Sequence, residues 1–598
     1  MPEPILDVEI ESLTLRSGLI VPIEEGVTVV VGPNNAGKSA LLRDIVNLLS
    51  AQVGPPPIPG TVVDHINLTW PQDPLTQLQK LRESLRYYPA GTPEALPGYH
   101  ESMFRFPDES LLHESVLNQI LNSSTSLGQL AQRYFLHFAA ESRTGMVGPD
   151  GSFDAVNGVP STPLQAMWAN RDLEMELSDA VEESFGQGVT VNRYAGQNIP
   201  LHYGRTSAKE TEPPLSEEYK AELRGLPVVN EQGDGMRSFI GLILNILAGN
   251  HRLVLLDEPE AFLHPPQARN LGRLLVRLCQ TGSRIIVATH SDDIVQGIAS
   301  SAHVSAQVAI HRITRSGSQN HVASIPTGAV RDLYSDPFMR YSSVLEGLFY
   351  HGVAVCESFG DCTYYRSVLD ALPRTSPHVD IHFTQTGGKQ RIASAARSLR
   401  SAAVPVASLV DIDMLSNKVE LAQLVDAHGG DIALFDSRLN VVQAEVTAKG
   451  ESVPRERLRS TVEPLFEVDA TDLSKAEIAT VRGAIQARSG WKQMKVTGTA
   501  LLNGQARAAV DSVIEDLESI GIFVVPVGEL ESFHPAIGSR DKMAWLKQVM
   551  DERLHETAGA HKTFVERIRG YIAAEQLTPP NPPESSESGP DVNSQDVT

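Results

Sequence analysis

Short apolar runs closed by polar or glycine-rich turns recur along this chain, and they read as buried strands. They are Val27 to Val31, Leu253 to Leu256, Arg284 to His290, Val353 to Cys356, Ile381 to Phe383, Val404 to Val410 and Ile522 to Val525. Between them the apolar positions change to helical period, as at Leu41, Leu42, Ile45, Leu48 and Leu49. Phe239 to Leu247 and Pro266 to Cys279 predict further helices, and Val510, Val513, Ile514 and Leu517 lie on one helical face. Strands alternating with helices predict α/β units built on largely parallel sheets.

The pattern divides the chain. Residues 1 to about 50 predict a strand pair, then a strand, a glycine loop and a helix. Val53 to Gly60 is a proline-rich break, and Leu75 to about Phe138 has a mostly helical pattern (Leu111, Leu112, Val116, Ile120, Leu121), so a helical insertion is expected at about 55–135. Arg133 to Gly145 predicts a strand running into a polar turn. Gly145 to about Pro214 is rich in Gly, Pro, Ser, Asn and Thr and predicts long loops. A helix is expected from about Ser216. Around Ser316 to Asp336 the chain turns polar and glycine-rich, which puts the end of a first domain near 335. A second α/β domain is expected over 336–575, with a mostly polar insertion at about 415–520. Residues 576–598, rich in Pro, Ser and acid, predict a disordered tail. No internal repeat or heptad run predicts a long coiled-coil arm.

Composition narrows the class. At 598 residues the chain suggests about three or four domains. Hydrophobic content of 41% and charged content of 21% are those of a soluble globular protein. No apolar run matches a bilayer, and the acidic start MPEPILDVEI does not read as a signal peptide, so a cytoplasmic protein without membrane attachment is expected. Cys279, Cys356 and Cys362 are scattered and odd in number, which indicates neither a disulfide frame nor a cysteine zinc site. A net charge of −23 argues against non-specific coating of nucleic acid, but leaves room for a local basic groove.

The loop after the first buried strand carries the sharpest chemistry. Gly32, Gly37, Lys38 and Ser39 stand in the spacing G-x-x-x-x-G-K-S between a strand and a helix. A triphosphate requires backbone N–H groups on a tight loop, a helix N-terminus, a cation and a hydroxyl for Mg²⁺. Gly32, Pro33, Asn34, Asn35, Ala36 and Gly37 would form that cradle, with Ala40 in the helix behind it. Lys38 would reach the β- and γ-phosphates and Ser39 the metal. Asp257 and Glu258 end another buried strand, where one carboxylate can order the Mg²⁺ shell and the other can polarise water.

LLDEPEAFLHP, followed by IIVATHSDDIV, resembles the ABC-type ATPases of the SMC and recombination-protein kind. By that resemblance Asp257 is the Walker B acid that holds Mg²⁺ and Glu258 the general base. His264 falls in the D-loop region, and His290 is the histidine that senses the γ-phosphate. QGDGMRS stands at the place of the signature sequence, although it departs from the usual S-G-G-x pattern. Gly233, Asp234, Gly235 and Arg237 would then meet the nucleotide of a second subunit, which implies a homodimer or higher homo-oligomer. Glu141 and Arg143 occupy the place of a polar nucleotide-sensing loop.

A second constellation lies downstream. Glu357 ends the strand of VAVCESFGD and Asp361 follows on the turn, while VPVASLVDID supplies Asp411 and Asp413. Two residues apart on a strand, those last two carboxylates would share a face. Grouped carboxylates repel unless cations intervene, and a pair of divalent ions about 4 Å apart would relieve the repulsion and clamp a phosphodiester. Solvated acidic loops are the plain alternative. Glu, then Asp, then D-x-D after α/β strands resembles a TOPRIM domain, and GLFYHGVAVCES from Gly347 resembles the OLD (overcoming lysogenisation defect) family. In that family an ABC-type ATPase is fused to TOPRIM, and its members include anti-phage effectors such as the Gabija nuclease subunit. The resemblance implies that Glu357, Asp361, Asp411 and Asp413 bind Mg²⁺ or Mn²⁺, with Glu529 and Glu531 as ligands of a second metal. Lys542 would offset charge on the scissile phosphate, and Gly387, Gly388 and Lys389 would form a turn beside DNA. The expected protein is an ATP-regulated, metal-dependent DNA endonuclease with Glu258, Glu357, Asp411 and Lys542 as catalytic groups, in anti-phage defence or DNA processing, working with a partner protein encoded alongside. The family usually has Gly after the first Glu. Ser358 stands there instead, and would carry a strain cost if the backbone needed positive φ. Three rivals stay open: an ATPase switch with a degenerate TOPRIM domain, an SMC-like repair ATPase, and a topoisomerase or primase, for which no tyrosine-bearing gate domain is visible.

Overall fold

The computed structural model describes residues 8–576 except 55–57, 107–108, 140–146, 149, 153–159, 211–214, 250, 280–282, 302–306, 318, 326–342, 376–377, 451–454, 467–471, 486–488 and 539–540. Glu141, Arg143, the segment 326–342 around the expected domain boundary, and the tail 577–598 therefore lie outside the described residues.

The first large sheet has six strands in the order Gln319–Ile325, Val308–Ser316, Val27–Val31, Arg284–Ala288, Leu253–Asp257, Phe135–Phe138. Neighbours run parallel except the first pair, an antiparallel hairpin. Val27, Val29 and Val31 enter one core with Phe239, Leu256 and Val287, whereas Val30 enters another with Leu41, Leu42 and Ile45. A parallel strand covered on both faces needs a continuous apolar run, which is why VTVVV does not alternate. The polar stretch from Ser316 is the turn of the hairpin, with Gly317 at φ 59, so the first sheet continues to Ile325. This is an α/β fold in which a glycine loop joins the central strand Val27–Val31 to helix Lys38–Ser50.

Three expectations change. Val63–Thr69 pairs antiparallel with Glu9–Leu15, which also pairs with Ile20–Pro22, so residues 63–69 belong to a small sheet at the chain's start and not to an insertion. The stretch after it is mixed, not mostly helical. Helix Pro74–Ser84 leads into an antiparallel sheet of Arg86–Tyr88, Met103–Arg105 and Leu111–His113, and only then comes helix Glu114–Leu121. Leu112, Val116 and Ile120 keep a four-residue spacing across a strand–helix junction, which mimics one helix. Residues 163–185, expected as loop, form helices Pro163–Ala169 and Arg171–Phe185, capped by the side chains of Thr162 and Asn170. The polar residues there serve as caps, while Leu177, Ala180 and Val181 bury in the core with Phe239.

The second sheet has four parallel strands in the order Ile381–Gln385, Gly352–Cys356, Val406–Val410, Ile522–Val524. Its chain order is therefore 2-1-3-4, which puts a topological switch point between Gly352–Cys356 and Val406–Val410. Helices occupy most of the chain between the last two strands, including Asp436–Gly450, Gly490–Thr497 and Gly504–Ser519. Val353, Val355, Val406 and Val410 belong to a core continuous with that of the first sheet through Ile325, Val344, Leu345 and Leu348. Ala354, Cys356, Leu409 and Phe523 face a separate core with Trp545 and Phe564.

Candidate functional site

The phosphate loop leaves the central strand at Val31. Gly32 has φ 146, and a Cβ there would lie 2.1 Å from the Ile313 carbonyl oxygen, so the backbone needs glycine twice over. Gly37 has φ 103, and Asn35 also lies in the left-handed region at φ 60. Pro33, Asn34, Asn35 and Ala36 complete the loop, and helix Lys38–Ser50 opens directly from Gly37 with Ala40 in its first turn. Asn320 on the hairpin strand supports the loop, its Nδ2 donating to Ala36 O at 2.5 Å. Lys38 Nζ donates to Gly32 O at 2.6 Å and Pro33 O at 2.9 Å. Burial lowers its pKa to about 8 against the pull of Glu258 and Asp257.

The strand-end carboxylates face this loop. Ser39 Oγ donates to Asp257 Oδ1 at 2.9 Å, and these two side chains are the ones that would hold an Mg²⁺ accompanying a nucleotide. Glu258 has φ 48 and donates its N–H to Ala288 O at 2.7 Å, so the turn is strapped to the next strand. His290 Nε2 lies 2.9 Å from Glu258 Oε1. Burial, followed by Lys38, lowers the His290 pKa, so the neutral ring donates to that carboxylate. Glu260 lies two residues beyond Glu258 in the same turn. Its Oε1 accepts from Thr289 Oγ1 at 2.7 Å and His290 N at 3.0 Å, which fixes the His290 turn, and burial raises its pKa.

Gly233 and Gly235 sit at the start of helix Asp234–Ala248, which begins five residues before the apolar run that predicted it. Gly233 is the N-cap at φ −62, and Asp234 follows where the helix dipole favours an acid. A Cβ on Gly235 would lie 2.4 Å from the Phe262 carbonyl oxygen, so this helix start rests directly on the turn after Glu258. Arg237 pairs with Asp234 at 2.8 Å and Phe262 is 63% exposed.

The second constellation gathers at the C-terminal ends of the second sheet. Asp411 follows the strand Val406–Val410 and is the N-cap of a 3-10 turn over Ile412–Ser416. Asp411 and Asp413 are thus not two positions on a strand; the turn brings them together. Lys495 Nζ, from helix Gly490–Thr497, stands 3.0 Å from Asp411, 3.7 Å from Asp413 and 4.0 Å from Glu529. Sequence reasoning missed Lys495, because a lysine on a polar helix far along the chain carries no local signal. Burial pushes the Asp411 carboxyl up to about 7, with Lys495 opposing. Burial and then Glu531 raise the pKa of Glu529. Lys389, after Gly387 (φ 67) and Gly388 (φ 141), lies 3.8 Å from Asp413 and 3.7 Å from Glu420.

Glu357 and Asp361 are on the neighbouring strand's exit. Asp361 Oδ2 accepts from Ser358 N at 3.0 Å and Ser358 Oγ at 2.8 Å, closing the start of helix Phe359–Asp370. Ser358 has φ −137, an extended conformation open to any residue, so the strain expected of a missing glycine does not arise. Serine instead supplies a donor to the carboxylate. Asp361 Oδ1 accepts from Lys542 Nζ at 2.6 Å. Burial works against the charge of Lys542, but Asp361 outweighs it and raises its pKa. Lys542 therefore neutralises an acid here and does not stand free. Glu357 is half-buried beside them.

Among the described residues no three His, Cys, Asp or Glu side chains are grouped closely enough to hold a metal as they stand. The donor chemistry nonetheless fits a hard cation. Three carboxylates converge on one ammonium, and Mg²⁺ or Mn²⁺ prefers the same oxygens.

Comparison with known proteins reaches the ATPase part. The family model "AAA domain, putative AbiEii toxin, Type IV TA system" matches residues 114–295, which include Asp257, Glu258 and His290. A putative ABC transporter ATP-binding protein of Nostoc sp. is 38% identical over 53 residues, or 9% of this chain and 19% of that protein. The chain thus matches about a fifth of that relative's length. Among solved structures, an SMC head bound to the C-winged helix domain of ScpA shares 13% identity, covering 53% of this chain and 97% of that one at a TM-score of 0.31. The cbiO1 subunit of the Clostridium perfringens transporter complex cbiONQ shares 14%, covering 52% and 85%, at 0.25. Residues 114–295 thus match an AAA-domain ATPase model, and the loop Gly32–Ser39 upstream of them has the geometry of a phosphate-binding loop. Among the described residues no helix is long and apolar enough to cross a membrane.

Proposed function

We propose that this protein is an ATP-regulated, divalent-metal-dependent DNA endonuclease of the OLD type, its second unit a TOPRIM domain with the boundaries expected above. The observation that carries this reading is the meeting of Asp411, Asp413 and Glu529 around one cation at the switch point of a parallel sheet, with Glu357 and Asp361 on the adjoining strand. Switch points are where open α/β sheets bind ligands. The resemblance of the acid order to TOPRIM nucleases supports a phosphodiester substrate, which this proposal takes to be DNA. Mg²⁺ or Mn²⁺ bound there would supply charge neutralisation for the attacking and leaving oxygens. The chain's residues do the rest. Asp411, Asp413, Glu357 and Asp361, with Glu529 and Glu531, hold the cations, and Lys542 turns from Asp361 toward the scissile phosphate. Glu258 orients the hydrolytic water of ATP, His290 reads the γ-phosphate, and Gly233 and Gly235 meet nucleotide across a homodimer. Anti-phage defence with a co-encoded partner protein is the biological setting this family reading suggests.

The test is supercoiled plasmid incubated with Mg²⁺ or Mn²⁺, with and without ATP, beside Asp411→Ala and Lys38→Ala. Nicked or linear product that vanishes in Asp411→Ala supports the nuclease, and the Lys38→Ala lane gives the sign of ATP control. One observation favours a second reading, an ATPase switch without cleavage: Lys495 and Lys542 already neutralise two of the acids. Intact plasmid under every condition, with ATP hydrolysis present, would establish that reading instead.

A further inference from the structure

One charged side chain joins the two sheets. Arg312 lies on the strand Val308–Ser316, paired in register with Val31, and its neighbour Ile313 presents the carbonyl that closes on Gly32. It is 2% exposed. Nη1 donates to Ala403 O at 2.7 Å, Nη2 to Tyr350 O at 2.8 Å, and Nε to Leu348 O at 3.4 Å. No carboxylate among the described residues forms an ion pair with it, and burial lowers its pKa to about 10. A buried charge met only by carbonyl dipoles is a costly way to hold an interface, since an apolar side chain of similar volume would avoid the desolvation.

The positions of those carbonyls show what the contact achieves. Tyr350 lies just before the strand Gly352–Cys356, whose far end delivers Glu357. Ala403 lies just before the strand Val406–Val410, whose far end delivers Asp411. These strands are neighbours. Ala403 is itself held at φ 54, a conformation disfavoured for a residue with a Cβ. A rigid planar fork therefore grips the bases of both acid-bearing strands at once, which an ammonium on a flexible stem would not do. On its other side, the same strand lies against Gly32 with no room for even a Cβ. The phosphate loop and Ile313 are therefore in direct backbone contact, and Arg312 is the next residue.

We propose that Arg312 is a positioning residue that couples nucleotide binding at the phosphate loop to the acid cluster, by setting the register of the two strands that carry Glu357 and Asp411. That the acids hold metal rests on the nuclease reading; the mechanical link does not.

Hydrogen–deuterium exchange on the full chain tests it, with and without ATPγS, in wild type and Arg312→Lys. In wild type ATPγS changes exchange in segments 350–357 and 403–411 by about fivefold or more, the low end of ordinary coupling. Arg312→Lys loses that change while still binding ATPγS. Arg312→Met, which removes the buried charge together with the fork, gives the same loss and serves if the lysine variant does not fold. Wild-type exchange unaltered by ATPγS in both segments overturns the proposal, as does a change that persists in a variant. Because exchange reads the strands directly, a protein that never cuts DNA still gives a decisive result.

Discussion

Replacing Asp411 with asparagine should make the metal-free protein more stable, by an amount that grows as pH rises through the acid range and is complete above about pH 7. In the fold this carboxyl is raised from 3.8 to about 7, because burial outweighs the attraction of Lys495. Between those values the native state keeps a proton that the unfolded chain has released, so stability falls as pH rises through the window and is flat above it. Three pKa units correspond to about 4 kcal/mol. The side chain is 16% exposed and Lys495 is in contact with water, so solvent screening cuts this to about 2 kcal/mol. Asparagine keeps the shape without the charge. Urea denaturation in EDTA, followed by fluorescence in a background where Trp70, Trp168 and Trp491 are replaced by phenylalanine, reports on this unit because Trp545 is fully buried in its core. The variant should gain on wild type by roughly 1 kcal/mol between about pH 5 and about pH 8. Added Mn²⁺ should then stabilise wild type and not the variant. A gap that does not change with pH, or a variant less stable at about pH 8, would refute the claim that this acid is held against its own preference.

Lys495→Met removes the cation around which Asp411, Asp413 and Glu529 meet, so Mn²⁺ measured by calorimetry at about pH 8 should bind about tenfold more tightly. Unchanged or weaker binding would mean that the ammonium does not compete for the site. Gly235→Ala forces a Cβ to within 2.4 Å of Phe262 O and should lower stability by about 1–3 kcal/mol, with a fall in ATP hydrolysis. Gly233→Ala meets nothing within 4 Å, so it should cost only the weaker N-cap, about 0.5–1 kcal/mol, and less than Gly235→Ala in the same melting experiment.

Much of the geometry of the candidate nucleotide site was legible because its chemistry is local. A tight turn that cradles phosphate needs Gly32, Gly37, Lys38 and Ser39 at short fixed spacing, and a strand that ends in two acids shows as LVLLDE. Parallel strands buried on both faces also announce themselves, which is why the strands at Val27, Leu253 and Arg284 could be placed from their apolar runs, whereas the hairpin Val308–Ser316 and Gln319–Ile325, which mixes polar with apolar residues, was not. The segments misread were those where polar residues cap helices, as at Thr162 and Asn170, or where helical spacing runs across a strand–helix junction, as from Leu112 to Ile120. Ser358 looked like a defect because its φ cannot be read from the sequence; the fold gives it an extended backbone and a carboxylate to bond.

What the sequence by itself determined is the set of groups: a P-loop, strand-end carboxylates, and strands able to carry them. What only the tertiary structure decided is which groups meet. Lys495 reaches Asp411, Asn320 reaches Ala36, and Arg312 reaches Tyr350 and Ala403 across long stretches of chain. The physical reason is that local propensity acts over a few residues, whereas a buried charge is satisfied by whatever dipole or counter-charge the packed sheets bring within about 3 Å of it.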